Sequence, residues 1–199
     1  MMASIAIYDY GVGNLFSLRA ALTREGVTSS VTNSPPKLRR ADAILLPGVG
    51  GFGEASKKMR ADDVREIAAS GKPIVGICLG LQIMLRSSEE AHGKGLGLLP
   101  GRARRLPEDV KVPHIGWNTI WLKGGDEILE GVEDGSWVYY VHSYYPETAG
   151  PWVVATTTYA LEYPAVVRKD ALVGTQFHPE KSGQTGRMIL RNVIRLIRR

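Results

Sequence analysis

Residues 73–82 read Pro73-Ile74-Val75-Gly76-Ile77-Cys78-Leu79-Gly80-Leu81-Gln82. The apolar run Pro73 to Ile77 has the length and composition of a buried strand, and a helical pattern follows from about Leu79 to Arg86. Between them stands Gly76-x-Cys78-x-Gly80, which is the form of a nucleophile elbow with sulfur in place of a hydroxyl. Such a turn is sharp and holds its central residue in strained backbone, so small residues are needed on either side. Leu79 then opens the helix, where its N–H faces any oxyanion that develops beside the sulfur. The bland alternative is a buried structural cysteine, the usual fate of a free thiol. The flanking glycines and the strand-to-helix setting favour the nucleophile.

Outward from the elbow, the first half of the chain alternates strands with helical stretches. Ser4 to Tyr8, Val27 to Thr32 and Ala43 to Leu46 read as strands. Asn14 is placed to cap a helix carrying Leu15, Leu18 and Leu22, with Gly26 just past its end. A further helix runs to about Ser70 and stops at Gly71. This rhythm predicts a parallel sheet covered on both faces. The second half has closely spaced runs rich in Trp, Tyr, Val and Thr: Thr119 to Leu122, Trp137 to Ser143, Trp152 to Tyr159, Ala165 to Lys169 and Leu172 to Phe177. These predict antiparallel strands that extend the sheet. The expectation is an α/β fold: one domain over residues 1–199, with an open, mostly parallel mixed sheet flanked by helices and antiparallel strands in its second half.

Composition narrows the function. With one Cys among 199 residues there is no internal disulfide and no cysteine-built zinc site, and the four His lack ligand spacing on any one helix, so no metal is expected. No apolar run approaches the ~20 residues that span a bilayer, and Met1 to Tyr10 lacks a basic start. The expectation is a cytoplasmic protein that meets no membrane. The net charge of +5 has one main source: residues 186–199 hold five Arg and no acid, and the rest balances at 20 basic against 20 acidic. Ile189, Leu190, Val193, Ile194, Leu196 and Ile197 recur at helical spacing there, so the arginines read as the solvated face of an amphipathic helix. No aromatics interleave with them, which argues against nucleic acid. The cluster Arg102, Arg104 and Arg105 is ambiguous, and an acidic partner would suit it.

A thiolate nucleophile needs a base. His92 sits in a glycine-rich surface loop, while His114 and His142 lie within apolar stretches. Only His178, in Gln176-Phe177-His178-Pro179-Glu180, has a carboxylate two residues on, at a strand end. Extended backbone would put residues i and i+2 on one side, so Glu180 can orient the imidazole in a Cys–His–Glu arrangement. Gly48-Val49-Gly50-Gly51-Phe52-Gly53 formally matches a dinucleotide-binding fingerprint, but the next strand ends in Cys78 rather than an acid. These glycines offer freely oriented N–H groups that suit a small ligand or an oxyanion.

The elbow stretch Gly76 to Gln82 together with His178-Pro179-Glu180 resembles the class I (triad) glutamine amidotransferases. Asp9-Tyr10-Gly11-Val12-Gly13-Asn14-Leu15, Leu46-Pro47-Gly48-Val49-Gly50, Pro113-His114-Ile115-Gly116-Trp117-Asn118, Val141-His142-Ser143-Tyr144-Tyr145 and Gly174 to Ser182 narrow the resemblance to the branch serving histidine biosynthesis. The resemblance implies that Cys78 attacks L-glutamine to form a thioester, with His178 as acid–base and Glu180 orienting it. It implies oxyanion and substrate contacts from Val49, Gly50, Leu79, Gln82, Ser143 and Tyr144. The partner would be a (β/α)₈-barrel cyclase subunit, met at Asn14, Trp117, Asn118, Tyr139 and Lys181. Ammonia would pass into that barrel, which makes imidazole glycerol phosphate and an aminoimidazole carboxamide ribotide, with no cofactor on the glutaminase side. The oxyanion strand would reorient before turnover, as the glycines at 48, 50 and 51 permit. A glutaminase serving another synthase and a stand-alone cysteine peptidase are the competing enzymes, and a nucleotide-binding module is the competing non-enzyme.

Overall fold

The structure, a computed structural model, describes residues 3–11 and 15–199. In chain order the elements are β1 (Ser4–Tyr8), α1 (Phe16–Arg24), β2 (Thr28–Thr32), α2 (Pro35–Arg40), β3 (Ala43–Leu46), α3 (Phe52–Lys58), α4 (Ala61–Ala69), β4 (Ile74–Ile77) and α5 (Leu79–Met84). There follow β5 (Ser87–Ser88), β6 (Arg102–Arg105), β7 (His114–Thr119), β8 (Trp121–Leu122), β9 (Trp137–His142), β10 (Tyr144–Glu147), β11 (Val153–Tyr159), β12 (Leu161–Lys169), β13 (Leu172–Thr175) and α6 (Gly183–Ile197). The capping role expected of Asn14 lies outside the described residues, and α1 opens at Phe16.

Eight strands form one sheet in the order β2-β1-β3-β4-β13-β12-β11-β8. The first five are parallel and the last three antiparallel, as the sequence led us to expect of the sheet as a whole. One strand departs from the expected grouping: β13 belongs to the second half yet lies parallel beside β4, from Leu172 opposite Ile74 to Thr175 opposite Ile77. A three-stranded sheet β10-β6-β5 and a two-stranded antiparallel ribbon β7-β9 complete the fold.

Strand alternation divides the core in two. Ile5, Ile7, Ala43, Leu45, Val75 and Ile77 face one cluster, which α1 and α6 cover with Leu18, Leu22, Ile189, Val193 and Ile194. Ala6, Tyr8, Ile44, Leu46 and Ile74 face the other, filled by Leu38, Phe52, Val64, Ile67, Leu81 and Met84 from α2 to α5. With both faces covered, β1, β3 and β4 read as near-continuous apolar runs, whereas the edge strand β2 is polar and mostly unburied.

The arginines of α6 do more than face solvent. Arg187 and Arg191 converge on Glu25 at 2.5 and 2.6 Å, and that acid's side chain is only 7% exposed. Burial pushes the Glu25 carboxyl up, but the two guanidiniums outweigh it and hold the group below its ordinary range. Arg195 pairs with Glu130, and Arg199 with Glu127. These contacts tie α6 to the end of α1 and to the 127–130 turn, while the arginines stay exposed on the solvated face the sequence predicts. Arg102 and Arg104 are likewise engaged within the chain, both on Glu147 and Arg104 also on Glu89.

Candidate active site

Strand β4 is buried throughout and delivers Cys78 at its carboxyl end. The residue has φ 49° and ψ −105°, a left-handed conformation that costs a non-glycine residue about 1–3 kcal/mol and persists only where its surroundings impose it. Here Cys78 N–H donates to Thr175 O at 2.7 Å, and Gln82 N–H donates to Cys78 O at 3.1 Å. The two flanking glycines answer to close approach. A Cβ on Gly80 would stand 1.9 Å from Leu46 O, and one on Gly76 would stand 2.7 Å from Leu81 N. The turn therefore admits no side chain at either position, and α5 begins directly at Leu79.

His178 leaves β13 beside the elbow, with Gln176 and Phe177 fully buried before it. Its N–H donates to Tyr139 O at 2.9 Å, and its carbonyl accepts from Ser182 Oγ at 2.7 Å. Nδ1 lies 2.8 Å from Glu180 Oε1. A carboxylate only accepts, so Nδ1 carries the proton and Nε2 is left for the thiol. Nε2 is buried and makes no hydrogen bond. Burial alone would lower the His178 pKa, but the neighbouring Cys78 thiol and Glu180 carboxylate raise it to about 10. The route from His178 to Glu180 differs from the extended one expected. Residues 179–181 form a 3₁₀ turn with Pro179 at its start, and this turn curls the carboxylate back onto the ring.

The remaining residues surround this pair unevenly. Gly48 packs against it: a Cβ there would meet His178 Cε1 at 2.8 Å, Ile77 O at 2.9 Å and Cys78 Cβ at 3.0 Å. Val49 is half-buried, and Gly50 is exposed with φ +95°. Gln82 is buried and donates through Nε2 to Tyr144 O at 2.8 Å, and half-buried Ser143 joins β9 to β10. Tyr139 and Trp117 touch edge to face with ring centroids 6.0 Å apart, and Lys181 Nζ sits 5.9 Å from the Tyr139 ring. Asn118 spends its carboxamide within the chain, donating to Thr158 O at 3.0 Å. Asn14 lies outside the described residues.

Ribbon β7-β9 lies directly over the thiol, since the Cys78 sulfhydryl donates to Val141 O at 3.8 Å. Its inner face carries His114, Val138, Tyr140 and His142, all buried. Its outer face presents Ile115, Trp117 and Trp137, each more than half exposed.

Under the ribbon runs a hydrogen-bond chain whose direction is fixed at its end. His142 Nδ1 is 2.9 Å from Tyr144 O, a carbonyl that only accepts, so Nδ1 is protonated and Nε2 is an acceptor. Tyr163 O–H then donates to His142 Nε2 at 3.2 Å, and its oxygen accepts from His114 Nδ1 at 3.1 Å. His142 must be neutral for this to hold, since its Nε2 accepts, whereas His114 only donates. Burial keeps both rings neutral, lowering the His114 pKa to about 4 and, with the charge of His114 as a smaller contribution, the His142 pKa to about 3.

Sequence reasoning gave no role to Gln176 or to the Val141 carbonyl. For Gln176 a signal was present: a large polar residue two positions before His178, between Thr175 and Phe177 at the end of a strand run. A main-chain carbonyl leaves no such mark. Among the described residues no group of three His, Cys, Asp or Glu is placed to hold a metal ion, and no helix is long and apolar enough to cross a membrane.

The family model for glutamine amidotransferase class-I matches residues 6–196. The chain is 47% identical over 199 residues to imidazole glycerol phosphate synthase subunit HisH of Methanothermobacter thermautotrophicus, covering 98% of this chain and 99% of that protein. It is 43% identical to the subunit of the same name from Listeria monocytogenes, over 94% of this chain and 93% of that one. Among solved structures, PurLQS from Thermotoga maritima superposes with a TM-score of 0.79 at 20% identity, over 98% of this chain and 99% of that chain. A crystal structure of a glutamine amidotransferase gives 0.78 at 18% identity, over 98% of this chain and 99% of that one.

Proposed function

The chain belongs to the class-I glutamine amidotransferases, and on that footing we propose that it is the glutaminase subunit of an imidazole glycerol phosphate synthase, active in histidine biosynthesis. The observation that carries the chemistry is a thiol on a strained elbow beside a buried His178–Glu180 pair. The Cys78 thiol gives its proton to His178 Nε2 as its sulfur attacks the carboxamide carbon of L-glutamine, and His178 passes that proton to the departing nitrogen. Ammonia leaves and a thioester remains. His178 then takes a proton from water, whose oxygen attacks the thioester, and glutamate and the free thiol are regenerated. Glu180 holds the imidazole in the tautomer that both steps need.

The oxyanion falls to the Leu79 N–H at the start of α5 and to the loop Val49-Gly50, whose positive φ at Gly50 leaves that peptide free to turn. Gln82, Ser143 and Tyr144 hold the amino-acid end of glutamine. These steps call on thiol, imidazole and carboxylate, and need no cofactor. We place the activity in the cytoplasm, with residues 1–199 acting as one glutaminase domain.

Ammonia goes to a (β/α)₈-barrel cyclase subunit, where it completes imidazole glycerol phosphate and aminoimidazole carboxamide ribotide. What supports such a partner is the outer face of the β7-β9 ribbon. An exposed set of Ile115, Trp117 and Trp137, with Tyr139 and Lys181 alongside, is the composition of an interface core. The test is to mix the chain with the barrel cyclase and its nucleotide ligand and follow glutamate release. A complex at micromolar concentration is expected, with hydrolysis stimulated about 10-fold or more. Absence of a complex would transfer the glutaminase to another synthase.

Gly48→Ala probes the site from behind. The added methyl is fixed by backbone 2.8 Å from the His178 ring, so the imidazole must move. A shift of this size is expected to lower kcat about 100-fold, while thermal melting changes by only about 1–3 kcal/mol. Steady-state kinetics and a melting curve on the same sample check both.

A further inference from the structure

Gln176 is fully buried on the run from β13 to His178, and its side chain has hydrogen bonds to two groups of the site. Gln82 Nε2 donates to its Oε1 at 3.2 Å, and its own Nε2 donates to Cys78 Sγ at 3.5 Å. A carboxamide without solvent must be satisfied by its neighbours, and here those neighbours are a residue assigned to the substrate and the nucleophile itself. The orientation follows from one main-chain atom. Tyr144 O can only accept, so Gln82 turns its NH₂ group toward it at 2.8 Å. The second hydrogen of that NH₂ meets Gln176, which therefore presents its oxygen to Gln82 and its NH₂ to the sulfur. Reversing Gln176 would set NH₂ against NH₂ and aim an oxygen at the thiol.

We propose that Gln176 is a positioning residue for the glutaminase reaction: it anchors the Cys78 sulfur opposite His178 and directs an N–H at the negative charge the sulfur bears before attack and again after deacylation. Hydrogen bonds to a charged group are stronger than neutral ones, so this contact tightens when the thiol gives up its proton. Gln176 acts through the sulfur it contacts. The inference rests on the glutaminase reading.

Gln176→Met keeps the length and unbranched shape of the side chain and removes both bonds. With the cyclase bound, kcat for glutamine hydrolysis is expected to fall about 10- to 100-fold, the worth of one hydrogen bond to a charged group, while KM stays within about twofold. Alkylation of Cys78 by iodoacetamide, read by mass spectrometry without glutamine, should slow by a similar factor, with the melting temperature little changed. Gln176→Glu retains the acceptor toward Gln82 and loses the donor to sulfur, so it should be at least as impaired. Gln176→Leu replaces the methionine variant if that one does not fold. Turnover and alkylation within about twofold of wild type would overturn the proposal, and so would a rise in KM at unchanged kcat. Alkylation separates this inference from its premise: if the wild-type complex hydrolyses no glutamine, the glutaminase reading fails while the alkylation ratio still reports on Gln176.

Discussion

Replacing Cys78 with alanine should reduce glutamine-driven synthesis in the cyclase complex by at least about 10⁴-fold, while synthesis from added ammonium salt continues at the wild-type rate. In the proposed mechanism the sulfur is the atom that bonds to substrate carbon, so no remaining group can open the thioester route. Oxyanion contacts and binding survive, which sets the size of the residue of activity. Alanine carries the same Cβ as cysteine, so the strain at φ 49° is unchanged, and the Thr175 and Gln82 main-chain bonds that hold the elbow remain. The cyclase uses ammonia irrespective of its origin, so the ammonium arm shows that the complex still forms and works. Glutamine-driven synthesis above a hundredth of wild type would end the assignment of Cys78 as nucleophile.

The second large effect is on stability in mild acid. His114 and His142 have folded-state pKa values of about 4 and about 3, below the ordinary 6.5. An unfolded chain takes up two protons that the folded chain refuses, so their contribution is complete above pH 6.5 and drains away as pH falls toward 4 and 3. The slope is about 1.4 kcal/mol per pH unit for each group. Between pH 6.5 and 5, where ordinary carboxylates remain ionised, each costs about 2 kcal/mol, a large share of the 5–15 kcal/mol typical of a domain. His178 has the opposite sign, because its raised pKa gives stability that is complete below 6.5 and is lost as pH climbs toward 10. Stability should therefore peak near pH 6.5. Urea unfolding at pH 5.0, 5.5, 6.0 and 6.5 measures the acid limb. His142→Gln keeps a donor and an acceptor on one side chain but cannot titrate, so it should remove about half of the slope. An unaltered slope would show that the buried imidazoles are not its source.

The parallel half of the sheet was legible because each buried strand is a short apolar run closed by a glycine or a cap. Pairing order was not: β13 finds β4 across roughly a hundred residues, and nothing local in Leu172-Val173-Gly174-Thr175 names its neighbour. Strand β12 begins at Leu161, four residues earlier than its pattern suggests, since Pro164 reads as a breaker. In the sheet that proline sits opposite Thr156, where β11 shifts register and the ladder is already irregular. One helix expected up to Ser70 is two, α3 and α4, parted at Met59 and Arg60 by backbone that no glycine or proline announces.

The site was legible where chemistry needs a particular residue type in a particular local setting. Gly76, Cys78 and Gly80 mark an elbow, and a histidine with an acid two residues on marks an oriented base. Gln176 escaped because its meaning lies in two partners, Gln82 and Cys78, that sequence distance hides. The ion pairs of the exposed α6 arginines were not legible because their acids, Glu25, Glu127 and Glu130, lie 60 or more residues upstream.

Strand β9 has two audiences, and its alternation keeps them apart. Trp137 and Tyr139 point outward while Val138, Tyr140 and His142 point into the core. The strand touches the proposed catalytic pair through main-chain oxygens, Tyr139 O to His178 and Val141 O to Cys78. A carbonyl is the same whatever side chain its residue bears. Over evolutionary time the outward positions are thus free to follow changes in a partner's surface without altering the atoms that hold the nucleophile and base. Selection for recognition and selection for catalysis act on one strand and seldom on the same atom.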